Sequence, residues 1–361
     1  MRVLVVNSGS SSLKVGLVVD GVLGRHDNVP LADREDELTE VLHDWRPIDA
    51  VGVRFVHGGP DHLVPVRLDD GVLAELDRTV SLAPLHNPVA LAVAREVRTA
   101  LPGVPVVACF DTSFHRSIPA AAATYPLPAE WNRRWRLRRY GFHGLSHQYA
   151  VRRAAEVLGR PAEELRIVVA HLGAGASLCA VRGGRSVDTT MGFTPLEGLM
   201  MQVRSGSVDP GLLVWLQQQG VSLDELSETL EHRSGLAGLS GTSGDMKQVE
   251  AACAAGDPDA RAAWAVYLHR LRRELGGMIA AAGGLDVLVF TGGIGEHSPR
   301  LRADVVEGLD YLGVALDPGA ADAPGDRDIA TAGSRARVLV VEAREDLAIA
   351  AEVTRLLGAG A

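Results

Sequence analysis

Residues 3–18 read Val3-Leu4-Val5-Val6-Asn7-Ser8-Gly9-Ser10-Ser11-Ser12-Leu13-Lys14-Val15-Gly16-Leu17-Val18, two apolar runs joined by residues that are small and polar or glycine. The pattern predicts strand, turn, strand. Val3 to Val6 is a buried-strand run, and Leu13, Val15, Leu17 and Val19 alternate with Lys14, Gly16 and Val18, which places the first set on one face and Lys14 on the other. Successive backbone N–H groups in a tight turn of small residues form an anion-binding concavity. A Ser/Gly turn between strands is more often only a hairpin. Lys14 shifts that balance, because Lys14 and Lys247 are the only lysines among 36 basic side chains, and a compact ammonium suits a phosphate oxygen.

A similar pattern returns some 160 residues later. Ile167 to Ala170 is a strand, His171-Leu172-Gly173-Ala174-Gly175-Ala176-Ser177 a glycine-rich turn, and Leu178 to Val181 a returning strand. Two such units predict a duplicated domain in which each half brings one loop to a shared cleft. A third turn, Thr291-Gly292-Gly293-Ile294-Gly295-Glu296-His297-Ser298-Pro299, follows the strand Val287 to Phe290 and is expected to feed a helix starting at Ser298-Pro299. It lacks both the GxxxxGK[ST] and the GxGxxG spacing.

The 361 residues suffice for two domains. A net charge of −9 argues against a nucleic-acid binder, and the basic run Arg133 to Arg139 is better read as a solvated or subunit-contacting surface. Cys109, Cys179 and Cys253 lie far apart in apolar runs, the usage of a reducing compartment. No signal pattern opens the chain, and no apolar run approaches the ~20 residues that span a bilayer. A soluble cytoplasmic protein is expected.

Single residues stand out between the loops. Arg54 lies inside the apolar strand Ile48 to Val56, just before His57-Gly58-Gly59, and must be answered by a protein carboxylate or by a ligand. Asn87-Pro88 is expected to cap a helix running to Leu101. Asp111 follows the strand Val104 to Phe110, at the carboxyl end where ligands gather in open α/β sheets. His143 and His147 are four apart, but Gly144 and the missing HExxH glutamate oppose a zinc site, leaving His143 as a hydrogen-bond donor. Residues 258–282 form a long helix with Trp264, Leu268, Leu271 and Leu275 on one stripe, and Glu345 falls near the start of a final helix.

The strand and glycine-turn order resembles the duplicated nucleotide-binding fold of actin, sugar kinases and the heat-shock ATPases. VNSGSSSLK at 6–14, RFVHGG at 54–59, APLHNP at 83–88, FDTSFH at 110–115, YGFHGLSH at 140–147, HLGAGAS at 171–177, DTTMGFTPLEGL at 188–199, RSGSVDP at 204–210 and FTGGIGEHSP at 290–299 together resemble the acetate kinase family over nearly the whole chain. The resemblance implies an α/β fold of two actin-like ATPase (ribonuclease H-like) domains, 1–115 with 346–361 and 116–345, and an interdomain active-site cleft. It implies a phosphotransferase that moves the ATP γ-phosphoryl group to acetate with Mg²⁺, or Mn²⁺ in its place, in a homodimer.

By the same resemblance Arg54 and Arg204 are the essential arginines, with the substrate as the partner of Arg54. His143 stabilises the transition state, and Asp111 orients acetate and, through water, the metal held by Asn7 and Glu345. Asn7, Ser10, Ser12 and Lys14 match the first phosphate loop and His171, Leu172, Gly173 and Gly175 the second. Gly292, Gly293, Ile294, Gly295 and His297 match the third turn, and Asp245, Met246 and Lys247 the adenine region. Val56, Leu85, Phe142 and Pro195 match the pocket for the acid's methyl group. Ala174 and His297 stand where relatives usually carry asparagine, and Asp245-Met246-Lys247 also departs from the family, which bears on nucleotide affinity. The segment between Lys14 and Arg54 is short for the family. A kinase for propionate or another short acid, and a non-catalytic nucleotide-binding regulator, are the alternatives.

Overall fold

The computed structural model describes residues 1–8, 12–30, 34–320 and 323–358. The chain forms two compact units, one of Met1–Arg116, Phe142–Tyr149 and Arg344–Ala361, the other of Ser117–Gly141 and Ala150–Ala343.

In the first unit β1 (Arg2–Ser8), β2 (Ser12–Val19) and β3 (Val22–Pro30) form an antiparallel meander. Asp20 and Gly21, both at positive φ, make the tight turn between β2 and β3. β4 (Ala50–Phe55) lies parallel to β1, the two-residue β5 (Val66–Arg67) is an antiparallel edge, and β6 (Val106–Phe110) lies parallel to β4. The sheet order is β3-β2-β1-β4-β6-β5.

Both faces of this sheet are covered. Val19, opposite Arg2 at the strand end, keeps the face of Leu13, Val15 and Leu17 but is 38% exposed, whereas Val18 on the other face is 1% exposed. Val18 pairs with Val3, on the face where the last helix, Glu345–Gly358, packs. Leu4, Val6, Val51, Val53 and Phe55 point the other way, into a core shared with Leu91, Ala94 and Val97 of helix Asn87–Ala100. Gly52 lets the last helix approach, since a Cβ there would sit 2.4 Å from Ile349 Cγ2. Arg54, two residues on, shares that face at the helix's first turn.

The second unit repeats the plan. β7 (Arg166–Leu172), β8 (Ala176–Arg182) and β9 (Arg185–Thr189) form the meander; β10 (Val287–Thr291) runs parallel to β7, β11 (Arg327–Asp328) is the antiparallel edge, and β12 (Arg337–Val340) runs parallel to β10. The order β11-β12-β10-β7-β8-β9 is that of the first sheet, strand for strand, so the fold is a duplicated α/β ATPase-type domain. Helices between β9 and β10 include Pro258–Ala282, with Asp257 accepting from Ala260 N–H at one end and Gly283 in the left-handed region at the other.

Two local expectations change. The third glycine turn is itself helical over Gly292–His297 before a second helix, Pro299–Glu307, begins. Gly292, at φ +78°, allows the strand to enter a helix at once, where a Cβ would sit 2.8 Å from Leu172 O. Asn87 does not cap its helix. Its Oδ1 accepts from His57 N–H at 3.3 Å and its Nδ2 donates to His57 O at 2.9 Å, fastening the turn that follows Arg54. No helix among the described residues is long and apolar enough to cross a membrane.

Candidate active site

In the first unit, residues far apart in sequence meet at the carboxyl ends of β1, β4 and β6. Arg54 donates through Nε to Asp111 Oδ1 at 3.0 Å and through Nη2 to Asp111 Oδ2 at 2.6 Å, a two-pronged fork. Its Nη1 donates to Asn7 Oδ1 at 2.9 Å and lies 3.4 Å from Glu345 Oε2. Asn7 Nδ2 closes the ring by donating to Glu345 Oε2 at 2.7 Å. The buried strand arginine is therefore answered by protein carboxylates, not left for substrate alone.

One guanidinium serves two carboxylates here. Burial works against the Arg54 charge, but Asp111 and Glu345 outweigh it and hold the arginine well above its ordinary pKa. Burial pushes the Asp111 carboxyl up; Arg54 and the His143 N–H oppose the rise and Glu345 adds to it.

The segment after Gly141 is pinned onto Asp111. His143 sits at φ +57°, with its N–H toward the Asp111 carboxylate, and Gly144 N–H donates to Asp111 O at 2.8 Å. A Cβ on Gly144 would lie 2.0 Å from that same oxygen. Phe142 O accepts from His115 Nε2 at 3.0 Å, which fixes the proton on Nε2 of that ring. Burial drops both His115 and His57 to about 4, so both are neutral at pH 7. Phe142 packs edge-on against His57 with centroids 5.5 Å apart. Sequence reasoning passed over His115 and the Asn87 lock; the one available signal was a polar residue inside a motif otherwise bound for the core.

Of the acid-pocket residues in this unit, Val56 and Phe142 are buried while Leu85 is 55% exposed. Lys14 is exposed opposite Asn7, and Ser12 is half-buried at the start of β2. Ser10 lies outside the described residues.

In the second unit the second and third glycine turns are neighbours, because His171 at the end of β7 pairs with Thr291 at the end of β10. Leu172 is buried beneath Gly292, and Gly173 N–H donates to Gly175 O at 3.0 Å. Gly293 and His297 are exposed, with His297 Nδ1 3.0 Å from Gly293 O, while Ile294 is half-buried and Gly295 buried. Asp245 caps helix Met246–Ala254 through Lys247 N–H at 3.0 Å; Met246 points into the core and Lys247 is exposed. Arg204 is half-buried with Nη1 3.9 Å from Met201 Sδ, and no carboxylate among the described residues forms an ion pair with it. Burial lowers its pKa, with Glu231 pulling the other way. Pro195 is half-buried in the same irregular stretch.

Two copies of one mixed sheet, with polar and charged groups at the strand ends and glycine turns after the strands, define a kinase of the actin-like ATPase class. The family model of the acetokinase family matches residues 31–351, and the chain belongs to that family. An acetate kinase of Synechococcus sp. (strain JA-2-3B'a(2-13)) is 45% identical, with 99% of each chain covered. The crystal structure of Porphyromonas gingivalis acetate kinase is 34% identical with a TM-score of 0.90 over 99% of each chain. A propionate kinase from Francisella tularensis is 33% identical with a TM-score of 0.88, covering 97% of this chain and 98% of that one. This protein is thus a phosphotransferase that binds ATP and uses a carboxyl group as acceptor.

Proposed function

We propose that the chain interconverts acetate and ATP with acetyl phosphate and ADP by direct in-line transfer on Mg²⁺. The observation that carries this reading is Arg54, held by Asp111, Asn7 and Glu345 in a chain 45% identical to an acetate kinase. A carboxylate nucleophile has a pKa near ~4 and is ionised at pH 7, so no strong base is required. The harder task is to bring anions together, which positive charge and positioning accomplish.

In this reading Arg54 and Arg204 are the catalytic arginines, and His143 donates to the transferring group. Asp111 orients Arg54 and the acid, and Val56, Phe142, Leu85 and Pro195 are each assigned to contact with the methyl group. The first unit serves the acid and the first phosphate loop; the second serves the nucleotide through His171 to Gly175, Asp245 to Lys247 and Gly292 to His297. Their departures from the family pattern bear on nucleotide affinity and donor choice, not on the transfer chemistry.

The donor set fits Mg²⁺ of the nucleotide-borne kind. Asn7, Glu345 and Asp111 offer oxygen atoms, and no cluster of three or more His, Cys, Asp or Glu suited to a metal exists among the described residues. Mg²⁺ usually keeps several waters and takes one or two carboxylates beside phosphate oxygens. Asn7 and Glu345 would hold it, with Asp111 acting through water; when bound, the ion neutralises charge on the transferring phosphate.

A homodimer fits Leu212, Val214 and Trp215, all exposed on helix Pro210–Gln218. A cytoplasmic setting fits three buried cysteines without a disulfide.

Hydroxamate trapping of acyl phosphate across short acids, with ATP, GTP and pyrophosphate as donors, tests the assignment. Acetate with ATP should give the highest kcat/KM. One further methylene is worth only ~0.8 kcal/mol of burial, about fourfold, so discrimination against propionate has to come from steric exclusion. Equal or better kcat/KM with propionate overturns the acetate assignment. Binding of ATP–Mg²⁺ without acyl phosphate from any acid would make the chain a regulator.

A further inference from the structure

Residues 190–209 contain no helix or strand, yet they include Pro195 and Arg204. Structureless stretches beyond about 12–15 residues are uncommon in compact domains and need an anchor. The anchor here is a charged cluster within the second unit. Arg139 Nη1 donates to the carbonyls of Thr189, Thr190 and Met191 at 3.2, 3.1 and 3.1 Å, and its Nη2 donates to Glu197 Oε1 at 2.6 Å. Tyr125 Oη donates to Glu197 Oε2 at 2.6 Å and accepts from Phe193 N–H at 2.7 Å. Gly192 has no room for a side chain, because its Cβ would lie 1.7 Å from Glu197 Oε2 and 2.2 Å from Tyr125 Oη.

The anchor reaches Arg204 through the backbone. Next to Glu197, Gly198 N–H donates to Ser207 Oγ at 3.0 Å and Gly198 O accepts from Ser207 N–H at 2.9 Å. That pair closes the loop bearing Arg204, whose own carbonyl accepts from Met201 N–H at 3.1 Å. One glutamate thus touches both a residue tied to Phe193 and a residue tied to the start of β9's exit, and it sits two positions from Pro195.

We propose that Glu197, held by Tyr125 and Arg139, is a positioning residue that sets Pro195 and Arg204 for the acid and for transfer. This rests on the reading of Pro195 and Arg204 as acid-binding and catalytic residues. Glu197 touches no substrate in this role. Its loss acts chiefly on the acid side of the kinetics, because its side-chain bonds go to Tyr125 and Arg139, while the stretch meets the second glycine turn through a separate backbone bond, Gln202 N–H to Ala174 O at 3.2 Å.

The test uses full-length protein carrying Glu197→Gln or Tyr125→Phe, the latter removing only a hydroxyl. Glu197→Gln should lower kcat/KM for acetate by about 10–100-fold, the range for hydrogen bonds to a charged group, and Tyr125→Phe by about fivefold or more. The acetate-to-propionate ratio of kcat/KM should shift in both, while the dissociation constant for ATP–Mg²⁺ by calorimetry stays within about twofold. Parent-like kinetics in both variants overturn the proposal. So does an equal loss of ATP–Mg²⁺ binding, which would mark a general structural role. A parent protein that makes no acyl phosphate fails the functional reading itself and takes this inference with it.

Discussion

Replacing Arg54 with alanine should expose how the centre of the first unit balances its charges. The arginine side chain is 14% exposed and the Asp111 side chain 1%, and the fork between them has bonds of 3.0 and 2.6 Å. Removing one partner of such a buried pair costs about 3–5 kcal/mol, because the remaining carboxylate keeps its desolvation without its counter-ion. For a protein of this size that is a fall in melting temperature of roughly 4–7 °C at neutral pH. The sign of the pH dependence follows from Asp111. Its folded pKa is already raised, first by burial, and the Arg54 charge and fork are what oppose the rise. With Arg54 gone the rise is larger, so between the unfolded and folded pKa values the folded state holds a proton that the unfolded state has released. Stability then falls as pH increases through that window. Thermal melts of Arg54→Ala from pH 5 to 8 should show the smallest deficit at pH 5. Arg54→Lys keeps a charge without the fork and should recover part of the melting temperature but little turnover. A deficit absent at pH 8, or one independent of pH, refutes the assignment of Arg54 as the counter-ion of Asp111.

Four other outcomes are expected. Arg204→Ala should lower kcat by about 10²–10³-fold with a melting temperature close to the parent's, since no described carboxylate forms an ion pair with Arg204; near-normal turnover removes it from the mechanism. Gly144→Ala places a Cβ 2.0 Å from Asp111 O and should cost about 1–3 kcal/mol along with activity. Gly277→Ala in helix Pro258–Ala282, where a Cβ meets nothing within 4 Å, should instead stabilise by up to about 1 kcal/mol, so chemical denaturation of the two variants compares directly. Trp215→Glu on the exposed face of helix Pro210–Gln218 should shift sedimentation toward the monomer, and an unchanged sedimentation coefficient places any dimer contact elsewhere.

Apolar runs, turns and caps were legible along the chain because each depends on residues a few positions apart. That is why the repeated strand–turn–strand units at the start of each sheet, and helix Pro258–Ala282, stand where periodicity placed them. The motifs also identified the family. Alternation placed Leu13, Val15, Leu17 and Val19 on one face, and their pairing with Ser8, Val6, Leu4 and Arg2 agrees, but it did not reveal that the last helix, over 300 residues away in sequence, covers the other face and buries Val18. Asn87 has the chemistry of a cap, but a buried His57 backbone offered it two stronger obligations. The third glycine turn became a helix because Gly292 could take a positive φ beside Leu172 O.

The centre itself shows the division. From sequence, Arg54 required a partner, since a buried charge cannot stand alone, but a carboxylate and a ligand satisfied that requirement equally. Only the folded sheet decided between them, by bringing the ends of β1, β4 and β6 and the first turn of the last helix to one place. Local chemistry states which groups must be paired; which group does the pairing depends on contacts 47, 57 and 338 residues apart, and those exist only once the chain has folded.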